Sequence, residues 1–130
     1  MEDNAADVYL FRKALEAAGL NFQLTVIDNG AEGLAFALRQ GEYATRPVPD
    51  LVVLDLNLPL SDGAAVLEAM RQSKAFEHVP VFILTSSDAL GDQAMARELG
   101  VERFVTKPAD LEEFMQIGHA VKEVLLKNSV

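Results

Sequence analysis

The chain has 130 residues, half of them hydrophobic, and its 20 acidic and 11 basic residues give a formal net charge of −9. This length and composition predict one globular domain with a single core. Nucleic-acid binding is not expected, because phosphate contacts need clustered Lys and Arg side chains. No apolar run approaches the ~20 residues that cross a bilayer, so we expect no membrane partner and a cytoplasmic location. The absence of cysteine excludes disulfides, thiol catalysis and Cys-based zinc sites.

The first part of the chain predicts a helix, a strand, a second helix and a long connection. Apolar residues at helical spacing, after a possible cap at Asn4, predict a helix over residues 5–18. A strand is predicted over Phe22–Asp28, and helix formers predict a second helix over Ala31–Gln40. The proline-containing stretch 41–50 is then a longer connection than most in α/β folds.

The second part of the chain alternates apolar runs with helical patterns. Leu51–Leu54 and Val81–Leu84 are unbroken apolar runs, which are typical of strands covered on both faces. One more short strand is predicted over Phe104–Val105. Three helices are also predicted: one over Ala64–Lys74, one capped by Asp88 and ending at Leu99, and one capped by Asp110 and ending near Leu126. Alternating strands and helices predict an α/β fold with a parallel sheet and right-handed crossovers.

Polar side chains follow three of these predicted strands. Asp55 and Thr85 come directly after apolar strands, and Lys107 follows the Phe104–Val105 strand after Thr106. We expect them to meet, because ligands of open α/β sheets bind beyond the carboxyl ends of the strands. Glu2 and Asp3, just before the first helix, add two carboxylates to the set. Such a cluster repels itself unless a hard cation joins it, and Mg²⁺ prefers oxygen ligands of this kind.

Four motifs in a fixed order carry a family resemblance: Glu2-Asp3-Asn4, Asp55-Leu-Asn57-Leu-Pro59 with Asp62-Gly63, Thr85-Ser86-Ser87, and Phe104-Val-Thr-Lys107-Pro108. Each motif is weak alone, but together they are specific. The chain closely resembles the CheY-like receiver domain of two-component response regulators. The resemblance implies a flavodoxin-like, doubly wound parallel sheet, normally with five strands and five helices. It also implies a single receiver domain over residues 1–130, without an output domain.

A narrower resemblance concerns the start of the first helix and the connection before residue 51. The Asp7-Val-Tyr-Leu-Phe segment and the Arg46–Asp50 insert look like those of stand-alone regulators that accompany bacterial phytochrome kinases. The family resemblance implies a sensor histidine kinase as partner. The narrower resemblance implies that this kinase is a bacterial phytochrome.

The family resemblance assigns a role to each carboxylate. Asp55 would be the nucleophile that takes a phosphoryl group from a phosphohistidine of the kinase. Asp3, Asp55 and the backbone carbonyl of Asn57 would ligate Mg²⁺ directly. Glu2 would act on the cation mainly through a water molecule.

The resemblance also implies a switch. Lys107 and Thr85 would contact the phosphoryl oxygens, and Pro108 resembles a cis-proline position that aims Lys107 inward. Movement of Thr85 would let an aromatic at the position of Phe104 turn inward. We therefore predict that the face formed by the fourth helix with Met95, the last strand and the last helix is the partner or homodimer surface.

Two other functions compete with this interpretation. A haloacid-dehalogenase-like phosphatase also attacks phosphate with a strand-end Asp, but it needs a second acid two residues later, where this chain has Asn57. A degenerate receiver would act as a binding module that does not depend on phosphorylation. A receiver itself is not expected to be an enzyme toward any external substrate.

The predicted order of elements opens on a helix, although the receiver fold has a central strand before Glu2-Asp3. Without that strand, the Phe22 and Leu51 strands would expose unpaired backbone groups, at about 1–3 kcal/mol for each buried group. Three explanations stay open: a chain that starts downstream of its natural beginning, direct pairing of the two strands, or strand exchange between protomers. We expect a four-stranded remnant that arises by truncation.

Overall fold

The computed structural model describes residues 1–128. Five helices, a short 3₁₀ helix and three strands make up its regular structure. The helices are α1 (Ala5–Ala17), α2 (Gly30–Ala37), α3 (Gly63–Gln72), α4 (Leu90–Glu98) and α5 (Leu111–Asn128), with the 3₁₀ helix at Gly41–Ala44. The strands are β1 (Val52–Leu54), β2 (Val81–Thr85) and β3 (Arg103–Thr106).

The three strands form one parallel sheet in the order β1-β2-β3. Val52 pairs with Val81 on one side of β2, and Ile83 pairs with Phe104 on the other. Every residue of β2 is buried, as the unbroken apolar run of this central strand predicts. The parallel sheet predicted for the second part of the chain is therefore confirmed.

Helix caps follow the sequence prediction at two helices and depart from it at one. The Asn4 side chain accepts hydrogen bonds from the first turn of α1, and an Asp110 oxygen accepts one from Glu112 N at 2.7 Å. The cap predicted at Asp88 is wrong: α4 begins after Ala89, which offers no side-chain cap. The Ser87 hydroxyl lies there instead, and it accepts a hydrogen bond from Ala89 N at 3.3 Å.

The strand predicted over Phe22–Asp28 is wrong, so the described sheet has three strands and not four. Exposure alternates along residues 22–25, as it does along a strand with one covered face. A strand also needs a neighbour that completes its hydrogen-bond ladder. One backbone bond at the end of this segment is donated by Glu2 N to the Ile27 carbonyl, at 2.8 Å.

Met1 and Glu2 lie along β1 on the side away from β2. The Met1 amino group donates to the Val53 carbonyl, and the Met1 carbonyl accepts from Asp55 N at 3.0 Å. Because Glu2 bonds to Ile27 at the same time, two residues bridge Ile27 and β1. Direct pairing of the Phe22 and Leu51 strands is therefore wrong.

The chain forms two compact units. The first contains residues 1–3 and 27–106, and the second contains residues 4–26 and the chain from Lys107 onward. The core of the first unit includes Leu54, Leu67 and Ile83, all fully buried. In the second unit, α1 packs against α5. No described helix has both the length and the apolar character that crossing a bilayer requires.

Candidate functional site

Three carboxylates converge in the first unit, at the end of β1. One oxygen from each of Glu2, Asp3 and Asp55 lies within 4.8 Å of the others. Asp55 is only 4% exposed, whereas Asp3 is open to solvent. The backbone bonds of Met1 and Glu2 to β1 and Ile27 hold the first two carboxylates beside the third. Of the residues expected to meet at this edge of the sheet, the structure brings these three carboxylates together.

The donor set of this cluster fits a hard divalent cation. All three side chains offer carboxylate oxygens, and like charges at such separations oppose one another unless a cation compensates them. The same negative field acts on the neighbouring amino group. Burial lowers the pKa of the Met1 amino group to about 6, while the charges of Glu2 and Asp55 oppose that shift.

The loop after Asp55 is fixed by its own backbone. An Asp55 carboxylate oxygen accepts a hydrogen bond from Asn57 N at 3.0 Å, and Gly63 N donates to the Leu56 carbonyl at 3.0 Å. A Cβ atom on Gly63 would lie 2.7 Å from Leu56 Cα, so only glycine allows this approach. The α3 helix begins at this glycine, and the Asp62 side chain caps it. Asp55 is thus presented from a rigid turn.

Thr85 reaches the same region from the end of β2. Its side chain is fully buried, and its hydroxyl lies 3.4 Å from both Asn57 Nδ2 and Ser87 N, which donate to it. Asn57 therefore connects the loop after β1 with the loop after β2. The Ser87 hydroxyl in turn donates to Asp92, on the first turn of α4, at 2.6 Å.

Lys107 belongs to the second unit, where its ammonium group donates to an Asp7 carboxylate oxygen at 2.8 Å. Both side chains are about four-fifths buried, since 18% and 19% of their surfaces are exposed. This partner could not be predicted from the sequence, because an acid in the first turn of a helix is already explained by the helix dipole. The Lys107–Pro108 bond is trans, so the expected cis form is wrong. Trans is the lower-energy state of most X-Pro bonds, by about 0.5–1 kcal/mol.

Phe104 and Met95 are the apolar residues that the sequence assigns to the switch. Phe104 lies on β3 opposite Ile83, and both Phe104 and Met95 are partly buried against the core of the first unit. The role of Phe104 as a switch stays a prediction.

The response regulator receiver domain family matches residues 1–118, and this chain belongs to that family. The response regulator Rcp1 of Synechocystis sp. is 32% identical over 127 residues, which cover 98% of this chain and 86% of Rcp1. Both findings confirm the resemblance drawn from the four motifs.

Solved structures agree with this assignment. The phosphorylated cyanobacterial phytochrome response regulator RcpA is similar, with a TM-score of 0.88 and 33% identity, covering 100% of this chain and 93% of RcpA. The Mn²⁺-bound form of Rcp1 gives a TM-score of 0.84 at 33% identity, covering 94% and 88%. The bacteriophytochrome response regulator AtBRR gives 0.72 at 38% identity, covering 95% and 87%. The predicted flavodoxin-like receiver fold is confirmed.

Proposed function

We propose that this chain is the phosphoacceptor of a two-component signalling system and that Asp55 takes the phosphoryl group in the presence of Mg²⁺. One observation carries the proposal. The buried Asp55 carboxylate shares a cluster with Glu2 and Asp3, with oxygens within 4.8 Å of one another. A related regulator, Rcp1, has been solved in an Mn²⁺-bound form, which supports a divalent cation at such a cluster.

In this proposal Asp3 and Asp55 bind the cation directly, with the backbone carbonyl of Asn57 as a third ligand. Glu2 acts mainly through a water molecule. Bound Mg²⁺ supplies positive charge that neutralises the phosphoryl oxygens as they approach the carboxylates. The rigid turn after β1 supports this role, because Mg²⁺ demands near-ideal octahedral geometry.

The reaction is a phosphoryl transfer between two nucleophiles. An oxygen of the Asp55 carboxylate attacks phosphorus, and the bond between phosphorus and the imidazole nitrogen of a kinase phosphohistidine breaks. The imidazole leaves with the electron pair of that bond. The product is an acyl phosphate on Asp55 and a neutral histidine once its nitrogens carry one proton.

Lys107 and Thr85 are proposed to contact the phosphoryl oxygens, following their places in the family motifs. An aspartyl phosphate adds about two negative charges and strong acceptor oxygens, which attract an ammonium group and a hydroxyl donor. Thr85 now accepts hydrogen bonds from Asn57 and Ser87, so turning toward a phosphoryl group would disturb the loop after β2. Phe104 is proposed to turn inward as that loop moves.

The partner is proposed to be a sensor histidine kinase, and the phytochrome regulators among the relatives support a bacterial phytochrome. The signal would leave through the face that carries α4, β3 and α5, by binding a target or a second copy of the chain. The chain would act as one receiver domain. It would turn over no external substrate beyond its own phosphorylation and dephosphorylation.

Intact mass spectrometry after incubation with acetyl phosphate and Mg²⁺ tests the proposal. We expect the wild type to gain the mass of one phosphoryl group, and the gain to disappear in Asp55→Asn and when EDTA replaces Mg²⁺. Asp50→Asn, at an exposed carboxylate just before β1, is the matched control and should label like the wild type. An unlabelled wild type would favour the binding-module alternative, and labelled Asp55→Asn would reject the acceptor.

A further inference from the structure

Gly30, the first residue of α2, contacts the loop that follows Asn57. Its N–H donates to the Pro59 carbonyl at 2.8 Å. A Cβ atom on Gly30 would overlap the Ser61 carbonyl oxygen and would lie 2.6 Å from the Ser61 carbonyl carbon and 2.8 Å from Ser61 Cβ. Real Cβ atoms essentially never approach other atoms this closely. A side chain at position 30 would therefore force Ser61 and the start of α2 apart.

Leu60, between the two contact points, has an unusual backbone conformation. Its φ angle is +70°, in the left-handed region that a bulky residue adopts only at a cost in energy. Its side chain is 80% exposed, so burial of the leucine does not offset this cost. The contacts of Pro59 and Ser61 with Gly30 lie on either side of this strained residue.

The same loop carries the Asn57 carbonyl. At its start, Asn57 N donates to an Asp55 carboxylate oxygen at 3.0 Å. Two residues after Asn57, the Pro59 carbonyl is bonded to Gly30. The backbone is thus held by hydrogen bonds at Asn57 N, before the Asn57 carbonyl, and at the Pro59 carbonyl, after it.

We infer that Gly30 is a positioning residue for the cation site, because it holds residues 59–61 and thereby aims the Asn57 carbonyl. This inference rests on the proposed function, in which that carbonyl is a ligand. Mg²⁺ and Mn²⁺ affinities depend on ligand direction, and loss of a group that orients a ligand typically weakens metal binding by about 10- to 100-fold. Gly30 itself does not touch the cation.

Mn²⁺ binding to the full chain, measured by electron paramagnetic resonance of the free ion, tests the inference. We expect Gly30→Ala to bind Mn²⁺ about tenfold more weakly than the wild type. Gly91→Ala on α4 is the matched control, because nothing lies within 4 Å of a Cβ atom there, and it should bind like the wild type. Melting temperatures without metal separate weakened binding from lost folding.

Two variants at Leu60 keep the test decisive if Gly30→Ala does not fold. Leu60→Gly retains access to the left-handed conformation and should bind Mn²⁺ normally. Leu60→Pro fixes φ near −65° and should weaken binding as Gly30→Ala does. Wild-type affinity in folded Gly30→Ala or in Leu60→Pro would overturn the positioning role and leave the proposed function intact. A wild type that binds no Mn²⁺ would overturn both.

Discussion

The parallel sheet and the stretch of residues 22–28 both contain strand-length segments rich in apolar residues, but their structures differ. The central strand β2 is an unbroken apolar run up to Thr85, whereas residues 22–28 mix apolar and polar side chains. In the sheet, β2 has a strand on each side and is buried along its whole length. Residues 22–28 pair with no strand of the described sheet. Their Ile27 carbonyl accepts a backbone hydrogen bond from Glu2 N, in the short Met1-Glu2 segment. A strand is therefore defined by its neighbours as much as by its own residues.

Matched leucine truncations give the largest contrast between the two regions. Leu54→Ala, at a fully buried position of β1, should lower the free energy of unfolding by about 3 kcal/mol, because it leaves a cavity in the core. Leu24→Ala removes the same atoms from a half-buried position outside any ladder and should cost under about 1 kcal/mol. Urea denaturation of both variants measures the two losses. Equal losses would mean that the 22–28 segment is packed as firmly as the sheet.

Arg71 holds the loops that lead into β2 and β3. Its guanidinium donates to the carbonyls of Leu99 at 2.7 Å, Val79 at 2.9 Å and Phe76 at 3.0 Å, and burial lowers its pKa. We expect Arg71→Lys to lower the free energy of unfolding by about 2 kcal/mol, since an ammonium group cannot reach this set of acceptors. The exposed Arg97→Lys is the control in the same denaturation experiment. A loss no larger than that of the control would show that the sheet does not depend on Arg71.

The first helix is held in part by a side-chain ion pair, whereas the strands of the sheet are held by backbone hydrogen bonds. Asp7→Asn breaks the largely buried ion pair with Lys107 and should lower the free energy of unfolding by about 1 kcal/mol. The exposed Asp50→Asn serves as the control. The Lys107→Met variant, and the double variant with Asp7→Asn, complete a double-mutant cycle. Strict additivity in that cycle would rule out a direct interaction.

The smallest expected effect is a shift in the titration of Tyr43, in the connection before β1. The Tyr43 hydroxyl donates to a Glu32 carboxylate oxygen at 2.7 Å, and this bond raises the pKa of Tyr43 to about 12. Because folding raises this pKa, the protonated hydroxyl stabilises the folded state. That stabilisation is fully present below pH 10 and is lost as pH rises through about 12. In a Tyr9→Phe background, ultraviolet absorbance should titrate near pH 12. Adding Glu32→Gln should move the midpoint toward 10, and an unchanged midpoint would dismiss the bond as the cause.

Much of the fold could be predicted because local patterns and tertiary pairing agree in it. The runs Leu51–Leu54 and Val81–Leu84 predict β1 and β2 to within one residue at their ends, since burial on both faces leaves an unbroken apolar run. The sequence predicts that the second helix ends at Gln40, but α2 ends at Ala37. Arg39 adopts a left-handed conformation there that its residue type does not indicate. Boundaries of this kind depend on tertiary contacts.

Part of the candidate site could likewise be predicted from the sequence, and part of it could not. Convergence of Glu2, Asp3 and Asp55 could be predicted from motif order and strand ends. The Asp7 contact could not, because it joins residues 100 positions apart with no shared motif. The role inferred for Gly30 also depends on a distance between two loops, and Asn29-Gly30 in the sequence indicates only a turn.

The most direct measurement is a Mg²⁺ titration of the isotope-labelled full chain, monitored by amide NMR shifts in the N-terminal segment and at the end of β1. If the short N-terminal segment and the end of β1 build one cation site, the amides of Glu2 and Asp3 and those of Asp55 and Asn57 should shift together. A single dissociation constant should then describe all four residues. Shifts at Asp55 and Asn57 without any at Glu2 and Asp3, or two different constants, would contradict the account.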